Sequence, residues 1–67
     1  MNPIRILEAV QQAQGVKDAR IDKNNRIVVT FYMEKHHSCI DTVKDYMDSK
    51  DYIVSEEIGY KVKFSSL

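Results

Sequence analysis

The sequence predicts an α+β domain in the order α-β-β-α-β-β, and three observations predict it. A helix start at Asn2-Pro3 leads into apolar residues at helical spacing. After Gly15 the apolar period falls to two, in a pair of runs joined at Asn24-Asn25. A second helical stripe follows Ser38, and the chain then returns to period two around Gly59.

Asn2 offers a side chain to cap orphan helix amides, and Pro3 at the first helical position has no N–H to lose. Ile6 or Leu7, Val10 and Ala13 recur on one face with Glu8, Gln11 and Gln12 between them, so the first helix is expected over 3–14. Gly15 supplies its left-handed stop, and Val16 can fold back onto Val10. A strand over 16–22 then sets Ala19 and Ile21 on one face, with Arg20 and Asp22 on the other.

Lys23-Asn24-Asn25 is a tight turn, because asparagine tolerates positive φ better than most residues. The next strand, 26–33, directs Ile27, Val29, Phe31 and Met33 to one side and Val28, Thr30 and Tyr32 to the other. Ser38, with Asp41 three residues on, fits the cap of a second helix that ends near Ser49. Its stripe is Ile40, Val43 and Met47 with Cys39 and Tyr46 alongside; Asp41, Lys44, Asp45 and Asp48 fall on the wet side. A last hairpin over 52–56 and 60–64 turns at Gly59, with Tyr60, Val62 and Phe64 inward and Lys61 and Lys63 outward. The expected core is Leu7, Val10, Ile21, Ile27, Val29, Phe31, Ile40, Val43, Met47, Val62 and Phe64.

Sixty-seven residues leave room for a single small domain, 1–67, with a thin core that self-association would help. Ten basic residues balance ten acidic ones at a pI near 6.7, so no whole-molecule field draws the chain to DNA or anionic lipid. The N-terminal residues lack a signal-peptide pattern, and no run approaches the roughly eighteen apolar residues of a membrane span. With one unpaired cysteine, Cys39, the expected location is the cytoplasm, without membrane contact.

Gly15-Val16, Ala19, Ile21-Asp22 and Ile27-Val28-Val29 resemble the stretch after the first helix of heavy-metal-associated domains, and Tyr52-Ile53-Val54 resembles the strand after their second helix. The likeness spans roughly Ile4 to Val54 and implies a ferredoxin-like sandwich. In those domains a first strand and a cysteine-bearing metal loop precede the first helix. This chain begins where that loop ends, so the metal site is not expected. The strand at 60–64 runs in the direction the vacant interior slot requires. A circularly permuted ferredoxin-like antiparallel sheet follows, a two-layer sandwich with strand order 52–56, 60–64, 26–33, 16–22 and both helices on one face. Length and style also resemble small orphan proteins of Gram-positive prophages, of the XtrA type, a likeness that implies no known activity.

Glu34-Lys35-His36-His37-Ser38-Cys39 is the one cluster of possible metal ligands in the sequence. Adjacent histidines in an extended segment diverge, and no second ligand pair completes a tetrahedron, so neither a metal nor a cofactor is expected. Cys39 in the first turn of a helix is a candidate thiolate, but nothing in the sequence identifies an orienting base or oxyanion donors. It reads as a small core residue and the chain as a non-enzyme. The acidic residues of the second half do not follow calcium-loop spacing.

Two helices covering one sheet face leave the other open. There the expected candidate residues are Arg20, Val28, Thr30, Tyr32, Lys61 and Lys63, with either Ile53 or Tyr52 and Val54 beside them. Such a face suits a protein partner, a twin subunit included. An aromatic among cations on a bare sheet also suits single-stranded nucleic acid, although the sequence carries no RNP-like motif.

Overall fold

The computed structural model describes residues 3–33 and 37–67, the His37 side chain excepted. Helix α1, Pro3–Gln11, buries Ile6 and Val10, one turn apart. Leu7 and Ala13 are only partly buried beside them. The helix ends before the expected residue 14 because its last turn tightens. The amides of Gln12 and Ala13 donate to the carbonyls of Ala9 and Val10 at 3.3 and 3.0 Å, three residues back. Gly15, at φ 86°, then turns the chain in the left-handed region, which costs glycine no Cβ clash.

Strands β1, Val16–Ile21, and β2, Ile27–Phe31, form the first hairpin. Asp22 organises its turn. One carboxylate oxygen accepts from the amides of Asn24 and Arg26 at 2.8 and 2.9 Å, and the other takes the Arg26 guanidinium at 3.1 Å. Asn25 carries the positive φ, 62°. The Arg26 amide above all, with the Asn24 amide and the guanidinium, holds the Asp22 pKa below the ordinary carboxylate value, against a smaller opposing cost of burial. A lowered native pKa contributes stability that is present above the unfolded value and lost as pH falls through the native one. The stability difference between wild type and Asp22→Asn is therefore expected to shrink from about pH 5 towards pH 2, and urea unfolding across that range checks it. A gap independent of pH would remove Asp22 from this role.

Helix α2, His37–Ser49, buries Ile40, Val43 and Met47 with Tyr46 packed alongside, as the stripe predicts. It begins one residue before the expected cap, so Ser38 lies inside the first turn and its carbonyl accepts the Thr42 hydroxyl at 2.8 Å. Asp51, at φ 64°, reverses the chain after the helix.

Strand β3, Tyr52–Ile58, runs two residues past the expected end at Glu56. Strand β4, Lys61–Ser66, starts after the turn that holds Gly59 and Tyr60. All pairings are antiparallel in the order β1-β2-β4-β3. This is the expected order, with β4 interior, and it is compatible with a ferredoxin-like variant.

One core joins the layers. Ile6 and Val10 of α1 and Ile40, Val43 and Met47 of α2 pack on Ala19, Ile27, Val29, Phe31, Tyr52, Val62 and Phe64. Both helices thus lie on the sheet face that carries Ile27, Val29 and Phe31. No charged or polar residue among those described is buried. Leu7 and Ile21, expected in the core, reach only its margin. Met33 and Tyr60 are exposed instead of inward, because β2 ends at Phe31 and β4 begins at Lys61, so the alternation no longer governs them.

Candidate interaction face

Residues paired directly across an antiparallel sheet share a face, so the register reads out the side the helices leave bare. One row runs Arg20, Val28, Lys63, Glu56 across β1, β2, β4 and β3; the next runs Asp18, Thr30, Lys61, Ile58. Five of the six expected residues, Arg20, Val28, Thr30, Lys61 and Lys63, therefore sit in two adjacent rows. Tyr32 follows just past β2, its amide held by the Gly15 carbonyl at 2.9 Å and its side chain exposed.

The charges of this face largely answer one another. Arg20 bonds Asp18 at 3.1 Å, two residues along the same strand. Lys63 lies 3.7 Å from Glu56 on the neighbouring strand. Among the described residues, Lys17 and Lys61 have no ion-pair partner. Val28 is only 8% exposed, since it lies between Arg20 and Lys63, whose long stems can cover apolar surface.

The exposed apolar surface comes mostly from residues that sequence reasoning did not place here. Ile58 is 67% exposed and joins Glu56, Lys61 and Lys63 around a shallow depression of about 390 Å³. A neighbouring depression of about 430 Å³ shares Ile58 and Lys61 and continues over Thr30 and Tyr32 to Met33 and Tyr60. Ile53, paired with Ser65, is exposed on the same side.

Ile53 and Ile58 are an odd number of residues apart and would occupy opposite faces of a regular strand. A bulge between Val54 and Glu56 consumes one residue and brings both onto the open side, while Ser55 Oγ bonds the Lys63 carbonyl at 3.2 Å. The same shift turns Glu57 to the helix side, where its carboxylate takes Lys44 of α2 at 2.8 Å. Of the expected flanking alternatives, Ile53 is thus on the open face, and Tyr52 and Val54 are on the other.

Both sheet edges are blunted. A bulge interrupts β1 between Val16 and Asp18, and Gln11 Nε2 donates to the Ala19 carbonyl of that strand at 3.0 Å. The bulge in β3 does the same at the far edge. The face is better suited than the edges to a partner.

Glu34, Lys35 and His36 of the histidine-rich segment, and the His37 side chain, lie outside the described residues. Cys39 is half-buried in the first turn of α2. Among the described residues no group of three His, Cys, Asp or Glu could hold a metal ion, and no helix is long and apolar enough to cross a membrane.

No family model, curated protein or solved structure significantly matches this chain.

Proposed function

We propose that the chain is a non-enzymatic protein-interaction module, of adaptor or regulatory type, whose partner docks on the open sheet face. The observation that carries this reading is the grouping of exposed Ile53, Ile58 and Tyr32 on one side of a sheet whose Arg20 and Lys63 are already paired with acidic neighbours. Apolar and aromatic side chains with locally neutralised charge favour a protein surface. Phosphate binding is driven by cations that displace counterions, and beside this face only Lys17 and Lys61 lack an acidic neighbour among the described residues.

Self-association supplies a test that needs no identified partner. Tyr32→Ala is expected to weaken it by more than about 1 kcal/mol by sedimentation equilibrium, while added salt changes it far less than it changes phosphate binding. Titration with a single-stranded oligonucleotide is the opposing arm. Binding that falls steeply with salt, and that Lys61→Ala and Lys63→Ala each weaken, would replace the protein reading by nucleic-acid binding.

A further inference from the structure

We infer that the occupant of the open face is a second copy of this chain, stacked face to face about a two-fold axis that runs along the strands. The inference rests on the protein-binding reading of that face and adds its partner and geometry. What points to it is the placement of charge across the sheet. In the row Arg20, Val28, Lys63, Glu56, a cation occupies one edge strand and an anion the other.

A two-fold axis along the strands, passing between β2 and β4, lays β1 of each subunit over β3 of its twin. Arg20 then meets the partner subunit's Glu56, and the symmetry makes that contact twice. Val28, already covered by its own neighbours, lies opposite the partner's Lys63. In the next row the Thr30 position lies opposite the partner's Lys61 and Asp18 opposite the partner's Ile58, so the charge match is carried by the Arg20 and Glu56 row. A two-fold axis across the strands gives a worse match. Lys61 and Lys63 neighbour each other along β4, so that axis sets lysine against lysine. Aligned stacking of sheets is also the common face-to-face arrangement, with the strands inclined by roughly 30°.

Size agrees with a twin. With Cα extents of 30 × 19 × 16 Å, the Cα outline of even the broadest face covers only roughly 600 Å², below the about 800 Å² per partner of a standard interface and at the roughly 600 Å² low end of that class. A copy of the same dimensions covers it from edge to edge. The blunted edges discourage the alternative of extending the sheet strand by strand.

The test is a complementary charge reversal. Wild type, Arg20→Glu, Glu56→Arg and an equimolar mixture of the two variants are compared by sedimentation equilibrium up to about 1 mM, with amide spectra recorded across the same range. Each variant alone places like charges at both trans contacts and is expected to self-associate at least about tenfold more weakly than wild type. The mixture restores opposite charge at both contacts and is expected to recover association to within about threefold of wild type as a heterodimer. Both side chains are exposed or half-exposed, and dispersed amide spectra confirm that each variant is folded.

A wild type that is monomeric at the highest concentration overturns the inference, as does a mixture that stays monomeric. A wild type whose concentration-dependent shifts fall on Ile58, Tyr32 and Lys61, yet which ignores both reversals, overturns the two-fold arrangement alone and keeps the face as a protein-binding surface. Shifts confined to the helices overturn both.

Discussion

Phe31→Ala is expected to cost the fold about 3–5 kcal/mol, enough to leave much of a domain this small unfolded. The ring is 2% exposed on β2, an interior strand, and packs in the cluster that joins both helices to the sheet. Its backbone is fixed as well, since the Phe31 amide donates to the Tyr60 carbonyl at 2.8 Å. Truncation therefore leaves a cavity whose walls cannot easily collapse, and the lost transfer energy and the void add. The neighbouring Tyr32, at 43% exposure, is the internal control, and Tyr32→Ala in dilute solution should cost less than about 1 kcal/mol. Urea unfolding of both variants measures the contrast. Similar small losses at the two positions would mean that the core lies on the other face of β2.

The alternation in β2 was legible because three consecutive inward positions, Ile27, Val29 and Phe31, are large and apolar, and a one-residue slip would turn all of them to solvent. Strand order was legible for a topological reason. Two split hairpins with a helix between them leave one interior slot, and the run at Val62 and Phe64 has the direction and the inward apolar residues to fill it. The stripe of α2 was legible at helical spacing, whereas in α1 the spacing allowed both Ile6 and Leu7. Packing against β1 buries Ile6, which lies one turn from Val10, and leaves Leu7 at the margin.

The candidate face was half legible. Arg20, Val28, Thr30, Lys61 and Lys63 follow from alternation alone, but the pairing of Arg20 with Asp18 and of Lys63 with Glu56 depends on register. Ile58 was hidden by the bulge, which changes the parity of β3 without a glycine or proline to announce it. Met33 and Tyr60 misled for a different reason. Each continues the apolar alternation by one position beyond the last inward residue that the helices cover, so periodicity counts it inward although no layer remains above it.

Removal of residues 60–67 is expected to abolish cooperative folding. A strand this late in a sequence often sits at a sheet edge and frays, and its loss is then tolerated. Here β4 lies between β2 and β3, with hydrogen-bonded neighbours on both sides. Among the described residues, β3 pairs with no strand except β4, so the truncation leaves β3 unpaired and strips one side of β2. Val62 and Phe64 go with it, both at 0% exposure, taking two of the largest fully buried side chains from under the helices. At about 2–5 kcal/mol for each large core side chain, the loss exceeds what a chain of 67 residues can spare. The truncated chain should show a collapsed amide spectrum and no denaturation midpoint. In the full chain the Val62 and Phe64 amides should exchange with solvent among the slowest. A peptide of residues 60–67 added in excess should restore dispersion if the slot is the one described. A truncated chain that still unfolds cooperatively, or fast exchange at Val62, would place this strand at an edge and undo the strand order on which the candidate face depends.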